Sequence, residues 1–216
     1  LCKRDDLPRF GEVKQTNGYS GLLGLISHEY FHTWNVKRLH PADFSEFDYS
    51  QENYTEMLWF FEGFTSYYDD LLLRRSGLID DAQYLEVLCK TVNHVWQTPG
   101  RKVQSVAQAS FDAWIKYYRP EPNTPNTTVS YYTKGALVAL CFDLTLRHEG
   151  KSSLDDVMQA LWMKSHNQAS KGATKSAKGA ITERDFVQVL EELGGRSYKK
   201  EIAAWVHGTD ELPVQK

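Results

Sequence analysis

Apolar residues recur along this chain at intervals of three and four positions, and no stretch shows the strict alternation of a half-buried strand. Between Ser20 and Asn35, seven apolar residues follow the repeat of a helix. Capping residues, glycines and prolines mark the ends of similar segments. The pattern predicts about eight helices, over residues 20–35, 54–75, 81–96, 105–118, 130–148, 153–167, 182–193 and 198–206. We therefore expect a mainly α protein without a convincing pair of strands.

The segments between these helices are predicted to be irregular. Residues 1–19 are polar and contain proline and glycine, so they form an irregular lead-in. Residues 119–128 hold three prolines and form a loop, and residues 168–180 are mostly Lys, Ser, Ala and Gly, which favours a flexible loop. We expect one domain over residues 1–216. Because the chain begins at Leu1, we expect it to be a piece of a longer protein.

The charge balance excludes several classes of protein. The chain has 25 basic and 28 acidic side chains and a formal net charge of −3, whereas nucleic-acid-binding surfaces are basic. No apolar run approaches the roughly 18 residues of a membrane span. The cysteines, Cys2, Cys89 and Cys141, are odd in number and widely spaced, which argues against a disulfide framework and weakly favours the cytoplasm. We expect neither a nucleic-acid partner nor a membrane span.

The strongest chemical signal is an HExxH sequence formed by His28, Glu29 and His32. Two histidines four residues apart on a helix lie on one face, one turn apart, and can share a Zn²⁺ ion. Glu29 follows the first histidine, where its carboxylate can reach a water molecule on the metal. The alternative is two packing histidines and a surface glutamate, but apolar neighbours would then bury Glu29 without a partner. The flanking apolar residues predict a buried helix.

A zinc hydrolase needs a third protein ligand, and Glu62 is the first candidate by context. It lies in the apolar stretch 58–64, where an unpaired carboxylate would cost several kcal/mol. The alternative places Glu62 on a polar helix edge together with Thr65 and Ser66. A histidine six residues after the motif is excluded because Arg38 is there. Other candidate ligands are carboxylates elsewhere in the chain and His40, His94, His148, His166 and His207.

Four blocks of sequence around these residues are more specific than the motif itself. They are LISHEYFHTWNVKRLHP at 25–41, LWFFEGFTSYY at 58–68, SYYTKGAL at 130–137 and VHGTDELP at 206–213. Together and in this order they resemble the glycyl aminopeptidase family of zinc peptidases, within the thermolysin-like gluzincins. The resemblance covers the chain from about residue 19 to its end.

The resemblance implies a role for each residue that it matches. His28, His32 and Glu62 hold the zinc ion, and Glu29 is the general base. Tyr132 steadies the tetrahedral intermediate, which suits a hydroxyl group that stays protonated at neutral pH. Taken alone, Tyr132 is more simply a packing residue, and the adjacent Tyr131 is a competing candidate.

The resemblance also implies a fold and an activity. The fold is the helical catalytic domain of a thermolysin-like zincin, with the HExxH helix beside the helix of the glutamate ligand. Relatives carry an accessory β domain and a PDZ-like domain that are absent here, so we expect the missing domains of the parent chain to pack on this one. The implied substrate is a peptide with a small N-terminal residue such as Gly or Ala. The segment that binds the peptide's N-terminus has no counterpart in residues 1–18, which keeps a metalloendopeptidase and an inactive zinc-binding scaffold as alternatives.

Overall fold

A computed structural model of the chain describes residues 3–8, 10–11, 16–168 and 178–214. Within them the chain forms ten α-helices, two short strands and several 3₁₀ and π turns, which confirms the mainly α class. The helices are α1 (Asn17–Phe31), α2 (Leu58–Phe61), α3 (Gly63–Arg75), α4 (Asp81–Gln97), α5 (Val106–Phe111), α6 (Thr124–Thr127), α7 (Thr133–His148), α8 (Leu154–Gln168), α9 (Glu183–Gly194) and α10 (Lys199–Glu201). The strands are β1 (His40–Pro41) and β2 (Ala180–Ile181).

The core lies where α2, α3, α7 and α9 meet, and aromatic rings fill it. Five of the fully buried rings form one cluster there, and neighbouring centroids are 4.4 Å apart at the closest pair, Phe60 and Phe64. Burial of one such side chain contributes about 1.5–3 kcal/mol. The cluster holds the start of α3 firmly against α7, and the five rings are Trp59, Phe60, Phe64, Phe142 and Phe186.

Helix α1, which carries the HExxH sequence, packs along α3. The ring of Phe31 stacks on Tyr68 with centroids 5.1 Å apart, and the Ser27 hydroxyl donates to the carbonyl of Asp69 at 2.9 Å. Thr16 caps the helix by accepting from the backbone N–H of Tyr19. The two helices that hold the candidate ligands are therefore adjacent, as expected.

The prediction that α1 is a buried helix is wrong for the described residues. None of its residues is fully buried, and Leu25, Ile26 and Tyr30 keep 50%, 56% and 65% of their surface exposed. One face of the helix contacts α3, while these apolar side chains lie outside that contact. An apolar pattern shows which face a helix can bury but does not show whether this chain covers that face.

The helix predicted over 54–75 is shorter and is interrupted at Glu62. Thr55 donates to the Asp43 carboxylate and accepts from the N–H of Met57, so the chain before α2 is held in a turn. At the break, the carbonyl of Phe61 accepts from the Thr65 hydroxyl at 2.5 Å. Such side-chain bonds compete with the regular helical ladder.

Other boundaries differ in smaller ways. The predicted helix over 105–118 is α5 followed by a π turn, Ala113–Tyr117, and the predicted loop 119–128 contains the single turn α6. The expectation of no convincing strand pair is wrong, because β1 and β2 pair in parallel with His40 opposite Ala180. Two residues per strand are too few to show alternation. Much of the flexible loop predicted at 168–180 lies outside the described residues.

Capping boxes begin two of the helices, α9 at Thr182, where the sequence predicts one, and α4 at Asp80, one of two candidate N-caps in the sequence. Asp80 accepts from the N–H of Gln83 at the start of α4, and Thr182 accepts from that of Asp185 at the start of α9. None of the helices in the described residues combines the length and apolar character required to cross a bilayer.

Candidate metal centre

His28, His32 and Glu62 converge on one point between α1 and the α2–α3 junction. The Nε2 atoms of both histidines lie 3.2 Å from the Oε2 atom of Glu62. The two imidazole rings are perpendicular, with centroids 4.7 Å apart. In the part of the chain that the structure describes, this is the one group of three His, Cys, Asp or Glu residues placed to hold a metal ion.

The second nitrogen of each imidazole is occupied by an outer contact. The Nδ1 atom of His28 lies 2.9 Å from the Asp69 carboxylate, and that of His32 lies 2.8 Å from the backbone carbonyl of Asn35. A carboxylate and a carbonyl accept hydrogen bonds, so each neutral ring carries its proton on Nδ1 and presents a lone pair on Nε2. Metal-binding histidines are oriented by such contacts. The donor set therefore fits a zinc ion.

Asn35 links the HExxH helix to the glutamate ligand. Its side chain is 1% exposed, and its Nδ2 group donates to the carbonyl of Phe61 and to the hydroxyl of Thr65, both at 3.2 Å. Phe61 directly precedes Glu62. The same residue thus orients His32 through its backbone and fixes the chain at Glu62 through its side chain.

Tyr132, at the start of α7, lies on the same side of the molecule as the three candidate ligands. Its ring centroid is 6.1 Å from that of His28. Tyr131 stacks behind it with centroids 4.7 Å apart and is itself 1% exposed. Of the two tyrosines, Tyr132 is therefore the one whose ring approaches a candidate ligand.

Glu29 is exposed and makes no hydrogen bond or ion pair with the described residues. The expectation that apolar neighbours would bury an uncoordinated Glu29 is wrong, because that face of α1 is open. Its backbone position next to His28 leaves the carboxylate accessible from solvent. An accessible carboxylate beside a metal ligand is able to exchange protons with a bound water molecule or substrate.

Comparisons with known proteins agree with this geometry. A family profile described as M61 glycyl aminopeptidase matches residues 21–138, which is more than half of the chain and includes His28, Glu29, His32, Glu62 and Tyr132. The chain belongs to the M61 glycyl aminopeptidase family.

A solved structure of similar fold is described as an aminopeptidase N family protein from Idiomarina loihiensis. It is 37% identical to this M61 family member, with a TM-score of 0.89 over 99% of the chain. The match covers 35% of the Idiomarina chain, so this chain spans about a third of that protein's length. A comparison with curated protein sequences gives no match.

The charges at this M61 centre shift the pKa values of its groups. Burial opposes protonation of His28, but the Asp69 and Glu62 carboxylates outweigh it and raise its pKa to about 9. Burial opposes ionisation of Glu62, but the two histidines outweigh it and lower its pKa to about 2. The pKa of His32 is raised because Glu62 outweighs burial there also. The cluster therefore favours positive charge at its centre, whether that charge is a proton or a metal ion.

The pKa of Tyr132 is raised because burial and the Glu62 carboxylate oppose loss of its proton. The hydroxyl is thus a hydrogen-bond donor at every physiological pH, as a group that stabilises an oxyanion must be.

Histidines outside the motif have other partners. His207 pairs with Glu183, with Nε2 2.8 Å from Oε1. His166 stacks on Trp162 at a centroid distance of 3.9 Å. His40 lies near backbone carbonyls, including that of Lys178 at 3.3 Å. Among the described residues, neither these three histidines nor His94 or His148 joins His28 and His32.

Sequence reasoning missed Asp69 and Asn35, which orient the histidines. A signal for Asp69 existed, because seven residues after Glu62 make close to two helical turns and return to the same face. Asn35 is three residues beyond His32, but its two side-chain partners lie 26 and 30 residues away along the chain. Only the packed structure reveals them.

Proposed function

We propose that this chain is the catalytic part of a zinc-dependent peptidase, with His28, His32 and Glu62 as the metal ligands. The observation that carries the proposal is the approach of both Nε2 atoms to one Glu62 oxygen, each at 3.2 Å, with both Nδ1 atoms occupied. Two imidazoles and one carboxylate leave an open position for water or substrate, as catalytic zinc sites do. Membership of a peptidase family supports the same reaction class.

His28, His32 and Glu62 would hold the zinc ion, which when bound would supply Lewis-acid activation of a water molecule and of the scissile carbonyl group. Glu29 accepts a proton from the attacking water and passes it to the leaving amine. Tyr132 donates a hydrogen bond to the negative charge that develops on the carbonyl oxygen. Asp69 and Asn35 keep the two imidazoles in the tautomer and orientation that the reaction needs.

For the substrate, we propose a peptide with a free N-terminus and a small first residue, Gly or Ala. The support is the description of the matched family as glycyl aminopeptidase and of the Idiomarina relative as an aminopeptidase N family protein. Peptides with free and with blocked N-termini test this choice. Equal cleavage of free and blocked peptides would favour a metalloendopeptidase. Zinc binding without turnover of either peptide would favour an inactive zinc-binding scaffold.

We also propose that residues 1–216 form one catalytic domain in a longer polypeptide, and that further domains pack on it. The share of the Idiomarina chain that the match covers, 35%, supports the longer polypeptide. The exposed apolar residues of α1, such as Ile26 and Tyr30, offer a surface for such packing.

The experiment that tests the catalytic role is Glu29→Gln in the complete natural protein. We expect kcat to fall by about 10²–10⁴-fold while the zinc content of the protein is unchanged, because Glu29 is not a proposed ligand. Glu46→Gln is the matched control, since Glu46 is also exposed and without a hydrogen bond or ion pair among the described residues. Turnover that survives Glu29→Gln with zinc retained would refute the proposed mechanism.

A further inference from the structure

Helices α3 and α7 cross at Gly63 and Gly135 with no side chain between their backbones. A Cβ atom added to Gly63 would lie 2.5 Å from the Cα of Gly135, and one added to Gly135 would lie 2.6 Å from the carbonyl oxygen of Trp59. Both distances are below any that real Cβ atoms adopt. Neither glycine has a positive φ. Glycine is therefore needed at these positions for space and not for backbone freedom.

This contact lies next to two residues of the proposed reaction. Gly63 directly follows Glu62 in the chain. Gly135 is in the first turn after Tyr132, where the N–H of Gly135 donates to the carbonyl of Tyr131 and that of Ala136 to the carbonyl of Tyr132, at 3.1 and 2.8 Å. Each partner in the crossing is thus joined to a functional residue by a short and rigid path.

Two other helical glycines, Gly21 and Gly24, lack this crowding. A Cβ on Gly21 would meet nothing within 4 Å, and one on Gly24 would meet only the Asp70 carboxylate at 3.5 Å, an ordinary contact. Both lie on α1, which also carries the two histidine ligands. Among the glycines of the described residues, Gly63 and Gly135 are the pair whose added Cβ atoms would meet each other's backbone.

We propose that the Gly63–Gly135 contact is a positioning device that sets the distance between Glu62 and Tyr132. The inference rests on the proposed function, because it concerns the placing of the oxyanion donor relative to the metal ligands. A methyl group at residue 135 must move the start of α7 away from α2 by several tenths of an ångström, because the hypothetical Cβ lies 2.6 Å from Trp59 O. The two histidine ligands lie on α1, outside this contact, so the movement of α7 changes the distance between Tyr132 and the ligand set.

The expected effect of Gly135→Ala is a fall in kcat of about 10–100-fold, since displacement of a catalytic group by about 1 Å can cost 10²-fold. The KM and the zinc affinity change little. Gly21→Ala is the matched control, because it adds the same methyl group to a helix without a contact, and it leaves kcat unchanged.

The deciding experiment is a double-mutant cycle in the complete natural protein with Gly135→Ala and Tyr132→Phe. If Gly135 acts through Tyr132, Gly135→Ala lowers kcat in the natural background and has no further effect once the Tyr132 hydroxyl is gone. The inference would be overturned if the two single variants lowered kcat by factors that multiply in the double variant. It would also be overturned if either Gly135→Ala or Tyr132→Phe left kcat unchanged.

Separate controls distinguish a loss of the native fold from a loss of activity. All rates are measured at a temperature where near-ultraviolet circular dichroism shows the native fold, and Gly63→Ala tests the same contact from the other helix. If Glu29→Gln abolishes turnover but the effects of Gly135→Ala and Tyr132→Phe multiply, only the positioning role is refuted. If Glu29→Gln leaves turnover intact, the proposed function is refuted as well.

Discussion

At the scale of single residues, two carboxylates contact the two sides of one imidazole. Glu62 faces the Nε2 atom of His28 at 3.2 Å, and Asp69 faces its Nδ1 atom at 2.9 Å. The first contact marks the place of the proposed metal ion, whereas the second fixes the tautomer that would let the ring bind it. Asp69 thus belongs to the proposed metal centre although it is not a proposed ligand.

We expect Asp69→Ala to weaken zinc binding by about 10–100-fold, because loss of an outer partner of a metal-bound histidine has effects of this size. Asp69→Asn keeps an oxygen that accepts the hydrogen bond from the Nδ1–H of His28, so this variant should retain most of the zinc affinity. Competition with a zinc chelator measures both dissociation constants. Equal affinities in the natural protein and in Asp69→Ala would contradict the role assigned to this carboxylate.

The neighbouring Asp70 predicts a dependence of stability on pH. Burial and the Asp69 charge raise its pKa to about 7 from an ordinary value of 3.8. Since the folded pKa lies above the unfolded one, this group's contribution to stability is present at low pH and is lost as pH rises from about 4 through about 7. In metal-free protein, Asp70→Asn should therefore raise Tm at pH 8 and change it little at pH 4. A Tm shift of the same size at both pH values would refute this assignment.

At the scale of secondary structure elements, the junction of α2 and α3 places Glu62. Asn35, which follows the end of α1, donates a hydrogen bond to the carbonyl of Phe61 at this junction. Asn35 is also buried, so removal of its side chain leaves a cavity and removes one donor each from the Phe61 carbonyl and the Thr65 hydroxyl.

We expect Asn35→Ala to lower the free energy of unfolding by about 1–3 kcal/mol, the usual cost of a lost buried hydrogen bond, and to weaken zinc binding. Asn93→Ala on α4 is the control, because Asn93 is exposed and makes no hydrogen bond with the described residues, and such changes stay within about 0.5 kcal/mol. Urea unfolding measures both. Equal unfolding energies for the two variants would show that Asn35 does not hold the junction.

These elements also show how far sequence reasoning reaches. Local spacing determines the caps at Asp80 and Thr182 and the shared helical face of His28 and His32, so the sequence predicts them. The break at Glu62 is contacted by Asn35, which lies 26 residues before Phe61 in the chain, and local spacing does not predict this contact. The strand pair depends on contact between residues 40–41 and 180–181, which no periodic pattern records.

At the scale of the whole molecule, α1 packs on α3 through one face and leaves apolar residues on the other. Ile26 and Tyr30 are 56% and 65% exposed, on the same helix as two of the proposed zinc ligands. The sequence predicted that these residues are apolar and helical. It could not show that the 216 residues leave them uncovered, because burial is a property of the assembled molecule.

We expect the isolated 216-residue polypeptide to self-associate through this face, since contiguous exposed apolar residues drive association. The double variant Ile26→Lys, Tyr30→Lys should weaken self-association without a change in helix content. Leu144→Lys is the control, because Leu144 is equally exposed, at 56%, on α7. Sedimentation velocity measures the result, and association that is equal in the double variant and the control would refute the prediction.

The metal centre is the claim on which the proposed function depends, and zinc-edge anomalous diffraction from crystals of the purified natural protein tests it most directly. The expected result is one strong anomalous peak in coordination contact with the Nε2 atoms of His28 and His32 and with a carboxylate oxygen of Glu62, and no peak there in Glu62→Ala. The absence of a peak at these atoms in zinc-loaded crystals, or a third ligand other than Glu62, would contradict the account.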